Sequence, residues 1–398
     1  MPTSVNDMTI DQQAYALVNE LHLQATGNKA IRAVDLSTFI SVASSTLARG
    51  VEPTLNAISI MVSRTLFAIR PYYRKFKGME FTAEKWGGIM RKINYADTTA
   101  NETKMFNLVD GESVDQYKIN KPKVLETRYV GSDVWDMEYT ITRDQLRSAF
   151  SAPGELVAFF NNVLLHFSNQ REQHIESVCR AILCDAIARK ALVNSGADVI
   201  HLLTEYNSAL GLEGDSALTS ETVRQPQNFP GFVRWMYARV ENLSKLMAER
   251  SVLFQQKITG YNIVRHTPVE DQRIYINADI MAHMQAEVLA DTYHDNYLKL
   301  AETEAVTYWQ DINDPLTVKA KPVYTHTDGT VKVADSSQTV EDVIGIMFDR
   351  DAMGYNIYDD TLEYTPYNAK GKYTNLINSC RYMLTLDVTE KIIVLALD

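Results

Sequence analysis

Apolar positions recur three or four residues apart in three early stretches. Ile10, Ala14, Val18 and Leu21 mark a helix over 9–25, ended near Gly27. A second helix is predicted over 35–49, with Asp35 or Ser37 as its cap and Gly50 at its end. A third starts at Pro53 and runs to about Ile69, where Pro71 stops it. The polar faces of these helices are weak. That suits an arm that packs on neighbours as readily as on its own core.

Residues 72–140 change to aromatic and β-branched character, in YYRKFKGMEFTAEKWGGIMRKINY and VLETRYVGSDVWDMEYTIT, around a polar stretch over 96–123. This predicts a long antiparallel hairpin with an elaborated tip that includes Asp110-Gly111. Such a hairpin has too few apolar runs for a core of its own, so it must lie on something else, and another subunit fits. The alternative is a flap over an active site.

The most periodic segment is 154–192. Leu156, Phe160, Val163, Leu164 and Phe167, then Ile175, Val178 and Ile182, keep helical spacing on either side of a polar middle at 169–174. Pro153 and Glu155 suit the start, Arg189 and Lys190 the end, and Gly196 lies just beyond. A helix this long spans nearly 60 Å, about the reach of a spine across an elongated subunit. A coiled coil is the other reading, but no heptad survives the polar middle.

From 195 to 350 the pattern is mixed α/β. An amphipathic helix is expected over 232–253 and another over 280–300. Strands are expected at 273–277 and 343–348, and a hairpin over 323–333 around Asp328-Gly329. Strands return at 362–367 and 373–387 around the turn Asn368-Ala-Lys-Gly371. Lys391–Leu397 is a continuous apolar run bounded by charge, as in a strand covered on both faces.

With 398 residues, 45% of them hydrophobic, the chain can bury a sizeable core. No apolar run is long enough for a membrane span, and the N-terminus lacks a secretory pattern, so no membrane association is expected. Cys179, Cys184 and Cys380 are too few for a disulfide framework and too scattered for a zinc site; reduced, buried thiols are expected. The net charge of −11 excludes a protein that grips nucleic acid by its phosphates, but not one that encloses DNA behind a repulsive wall.

The catalytic motifs fail on inspection. Gly371-Lys372 has Pro366 where a phosphate loop needs its first glycine, and Gly214-Asp-Ser216 lacks the second glycine of a nucleophile elbow. His166 and His174 share roughly one helix face without a third ligand. Asp359, Asp360 and Glu363 read as a solvated loop, and the sequons at Asn101 and Asn242 mean nothing without a secretory route. Asp349-Arg350-Asp351, after a buried strand, is the most enzyme-like tripeptide. A turn in which Arg350 pairs with carboxylates, so that Arg350→Ala lowers stability or yield, is the favoured reading over a hydrolase site. No catalytic residue, cofactor or metal site is predicted.

The order of elements, with PYYRKFKGMEF at 71–81, MEYTITRDQLRSAFSAPGELVAFFNNVL at 137–164 and VIGIMFDRDAMGYNIYDD at 343–360, resembles the major capsid proteins of tailed bacteriophages, and the small short-tailed phages above all. The resemblance implies an α+β fold of the HK ninety-seven type: an N-terminal helical arm (1–72), an extended hairpin loop (73–145) and a peripheral domain with the spine helix (146–195). An axial domain (196–352), peripheral return strands (353–385) and a final axial strand (386–398) would follow. It also implies a subunit that self-assembles as hexamers and pentamers into an icosahedral or prolate head in the host cytoplasm and resides in the virion. Scaffolding protein and portal would be its partners, with DNA enclosed but not read. Some relatives carry a C-terminal immunoglobulin-like domain, not expected here. Others cross-link a loop lysine, and Lys104, Lys118, Lys121 and Lys123 lie in that region. The rival readings are an encapsulin-like compartment shell, a tail-tube or connector protein, and a hydrolase using Asp349 and Asp351.

Overall fold

The run at 392–397 has no polar position to turn towards water, and it lies inside a sheet covered on both faces. In the computed structural model β14 (Ile392–Ala396) pairs with β11 (Val343–Asp349) antiparallel and with β4 (Val199–His201) parallel. On its other edge β11 pairs with β5 (Gln272–Asn277), and β5 with β6 (Glu302–Val306), giving the order β4-β14-β11-β5-β6. Side chains alternate between two separate cores, as the pleat dictates. Ile392, Val394 and Ala396 face one core, while Ile393, Leu395 and Leu397 face the other. The described residues are 10–26, 32–48, 72–81, 89–98, 103–115, 117, 119–145, 153–289, 302–387 and 389–398.

One face of this sheet is covered by α4 (Leu202–Leu210), α6 (Phe229–Ala248) and α7 (Ala278–Leu289), with the short α5 (Ser220–Val223) beside them. The α6 stripe of Phe232, Met236, Val240, Leu243 and Met247 is buried, as its spacing predicts. This helix stops at Ala248, short of the expected 253. The Lys391 ammonium donates to the backbone oxygens of Met247 (3.0 Å) and Glu249 (2.7 Å), which satisfies carbonyls that another helical turn would have used. Burial holds the Lys391 pKa down, to about 8. The part of the expected 280–300 helix beyond Leu289 lies outside the described residues, as does the expected helix at 53–69.

The other face is covered by the C-terminal half of α3 (Pro153–Leu192), a 40-residue helix. Its N-terminal half leaves that sheet and packs with α1 (Ile10–Thr26) and α2 (Leu36–Ala48) on a second sheet, of order β12-β13-β3. Asp35 caps α2, its carboxylate accepting the Thr38 N–H at 2.8 Å. The arm therefore packs on its own subunit, through Ala14, Val18, Leu21, Phe39 and Val42.

β3 (Asp133–Thr142) pairs with β13 (Tyr373–Leu386) from Asp133↔Tyr382 to Thr142↔Tyr373, and β13 pairs with β12 (Met353–Tyr364). This corrects the hairpin boundary. Residues 133–142 alternate strictly, Trp135, Met137, Tyr139 and Ile141 pointing inward, and such a face is stable only over a core. The strand thus belongs to the sheet under the spine helix. β12 also starts nine residues earlier than expected, because the segment 72–81 covers its first residues, with Phe81 N–H donating to Tyr355 O at 2.9 Å. A smaller pair, β7 (Val318–Ala320) with β10 (Gln338–Val340), lies against α3, and β8 (Val323–Thr325) with β9 (Val331–Val333) forms the hairpin expected around Asp328-Gly329.

Candidate assembly surface

What remains of the predicted hairpin is β1 (Ile89–Tyr95) and β2 (Val124–Val130), paired antiparallel from Ile89↔Val130 to Tyr95↔Val124. The Ala96 N–H to Lys123 O bond (2.8 Å) closes the stem. Beyond it the chain carries large apolar side chains into solvent. Phe106 is 81% exposed, Tyr117 83% and Ile119 79%, with Met105, Leu108, Val109 and Val114 alongside. Single exposed apolar residues are ordinary, but a run of them on one projecting loop marks an interaction surface.

The stem is fixed to the body by buried charge. Lys92 Nζ donates to Asp387 (2.8 Å) and Glu390 (2.6 Å), at the corner between β13 and β14. Burial pushes the Asp387 carboxyl up, but Lys92 and the Thr389 donors outweigh it and hold it below the usual range. For Glu390 burial wins over Lys92 and Arg265, and its pKa is raised. Asp97 pairs with Arg250 and accepts the Val264 N–H at 2.9 Å, while Asp97 N–H donates to Asn262 O at 2.6 Å. Where β2 turns into β3, Gly131 sits at φ +118, a backbone that only glycine adopts without strain.

The lead-in segment 72–81 is strapped to the polar middle of α3. Arg74 is shared between Glu80, Glu172 (2.7 Å) and the Tyr355 hydroxyl (2.6 Å). The Tyr72 hydroxyl donates to Glu176 at 2.7 Å, and that bond, with burial, pushes its pKa up to about 12. Asn169 accepts the Tyr72 N–H, and Arg171 pairs with Asp360 of β12. The interruption that removed the coiled-coil reading is therefore the line along which the strap and β12 attach. Phe76 is buried at φ +67, its N–H held by both oxygens of Glu304 (2.8 and 2.9 Å).

The residues weighed for chemistry are dispersed. His166 contacts the Tyr139 ring and His174 the Trp135 ring, centroids 5.3 and 4.3 Å apart. Burial lowers the His174 pKa. Asp360 is taken by Arg171 and by Asn378 (2.9 Å), and Cys179, Cys184 and Cys380 are buried free thiols with raised pKa values. No group of three metal-ligating side chains occurs among the described residues.

The Asp349 turn borders an open cleft of about 640 Å³ between the stem and the α/β body. Asp349 is buried, accepting the Thr267 hydroxyl (2.6 Å) and the Asp351 N–H (2.8 Å). The expectation that Arg350 pairs with carboxylates is corrected. Its side chain is exposed and forms no ion pair among the described residues, and only its N–H serves the turn, donating to Asp271 O at 2.8 Å. A side chain that points to water adds nothing to a turn already closed by the Asp349 carboxylate. The hairpin's apolar tip was the feature hardest to find from sequence, because periodicity reports burial and cannot separate a covered side chain from one awaiting a partner.

The sequence model of the Phi29-like phage major capsid protein family matches residues 16–396. No curated relative matches the chain. Among solved structures, a chain from the structure of head fiber and inner core protein gp22 of native bacteriophage P68 is similar at a TM-score of 0.55 and 12% identity, covering 84% of this chain and 87% of that one. A chain of the capsid structure of Staphylococcus phage Andhra is similar at 0.52 and 12%, covering 83% and 86%. No helix among the described residues is long and apolar enough to cross a membrane.

Proposed function

Since the chain belongs to the Phi29-like phage major capsid protein family, we propose that its hairpin, residues 89–130, is laid over a neighbouring copy and is the principal bond of the shell. The protein is a major capsid protein. It builds the head of a tailed phage from copies of itself and resides in the virion; the family does not favour a compartment shell or a hydrolase.

The observation that carries the proposal is the projecting loop of exposed apolar side chains on a stem anchored by Lys92 and Asp97. A rigid stem under an apolar tip limits the entropy lost on docking and leaves the contact area unspent until a partner arrives. Residues 146–195 with 353–385, and β3 beside them, form the peripheral part, and 196–352 with 386–398 the axial part, in rings of six and of five. Interfaces between rings of different curvature favour a long arm over a flat face. The total buried per subunit is expected to exceed about 2,000 Å². Scaffolding protein and portal are the partners of assembly, and the acidic chain encloses DNA without reading it. The subunit has no catalytic role: the Asp349 turn joins β11 to β12.

The test removes residues 96–122, closing the stem with Asn-Gly. The expected product is a soluble, folded subunit that forms no shells by electron microscopy. Closed shells of normal size would sink the proposal.

A further inference from the structure

Resting on that role of the hairpin, we infer that its tip meets the tip of a second copy, the acidic turn of one against the basic return of the other. The turn is Val109-Asp110-Gly111-Glu112, closed by the Glu112 N–H to Val109 O bond (3.2 Å) with Gly111 at φ +87. It carries the carboxylates of Asp110 and Glu112, and Asp115 follows. The returning segment reverses the sign, with Lys121 and Lys123 and, by sequence, Lys118.

Among the described residues none of these carboxylates or lysines enters an ion pair within the subunit. Asp115 accepts only the Tyr117 N–H (3.0 Å), and Lys123 Nζ donates to Gly260 O (3.2 Å). Among the described residues, Asp110, Glu112, Asp115 and Lys121 thus have no partner charge within the subunit, on a loop whose Leu108, Val114, Tyr117 and Ile119 are exposed. Apolar residues ringed by unspent charge are the anatomy of an interface. Both halves of the charge match lie on one projecting loop, with Lys123 at its base, so a rotation axis can set each acidic turn on the next copy's basic return, without any other partner.

The test uses three full-length variants: D110K/E112K/D115K, K118E/K121E/K123E, and the exchange that carries all six. The readouts are the fraction of protein in closed shells, by sedimentation and electron microscopy, and the Tm of the unassembled subunit. Either one-sided reversal should cut the shell fraction by about tenfold or more, since like charges then face each other. The exchange should restore it to within about twofold of the unmodified chain. Should a reversal lower Tm, the neutralised D110N/E112Q/D115N variant takes its place, with a loss in the same direction expected.

Normal assembly by the one-sided variants overturns the inference. So does an exchange variant that stays unassembled, which would mean that the acidic turn faces a fixed site on a neighbour's body or on a scaffold. Removal of the tip separates the two proposals. If it blocks assembly while the reversals assemble, only tip pairing falls; if it too yields shells, both fall.

Discussion

Lys92→Met isolates the anchorage of the hairpin stem. Lys92 is 22% exposed, while Asp387 and Glu390 are 4% and 7% exposed. At 2.8 and 2.6 Å each contact is worth about 6 kcal/mol of bare Coulomb attraction at an effective dielectric near 20. Desolvation cancels most of that in the intact protein, but not once the ammonium is gone, since two carboxylates then remain buried with too little counter-charge. Removing one member of a buried pair costs about 3–5 kcal/mol. Arg265 still reaches Glu390 at 3.3 Å, and Thr389 still donates to Asp387, so the low end, about 3 kcal/mol, is expected. The assay is urea unfolding of the unassembled subunit at pH 7, together with limited proteolysis of the stem. The sign with pH follows from Asp387. Its folded pKa lies below the usual value, so its stabilising contribution is present at neutral pH and lost as pH falls through that folded value. In the variant the unpaired carboxylates take up protons more readily, so the penalty should shrink towards about pH 4. A loss under about 1 kcal/mol at pH 7, or a penalty that grows on acidification, would refute the account of the stem.

At the Asp349 turn, Asp349→Ala should destabilise the subunit by about 2 kcal/mol, because it leaves the Thr267 hydroxyl and the Asp351 N–H without an acceptor. Arg350→Ala should stay within about 0.5 kcal/mol, since its side chain points to solvent; equal losses in paired thermal melts would contradict this. Gly354→Ala should dislodge the strap, because a Cβ there would fall on the Met79 carbonyl and the Phe81 ring. Faster proteolytic cleavage within 72–81 is the expected readout, and an unchanged digestion pattern would count against the strap.

Much of the architecture is legible in the order of residues. The 40-residue spine, the doubly covered strand at 392–396 and the amphipathic stripe of α6 follow from local spacing, because burial on one face or on two leaves a period in the sequence. What the period cannot carry is the identity of the partner. Trp135 to Ile141 alternate as cleanly as a hairpin strand would, yet the strand pairs with β13, more than two hundred residues away. Asn169 to His174 read only as the polar middle of the spine, yet the strap through Tyr72 and Arg74 is held there and at Glu176. Arg350 invited a salt bridge by its neighbours in sequence, and its neighbours in space, among the described residues, do not supply one. Local pattern determined that this chain would be long-spined and mixed in structure. Only the tertiary structure decided which polar residues are spent holding the subunit together and which apolar ones, at 105–119, are left over, because pairing and exposure depend on segments that sequence separation hides.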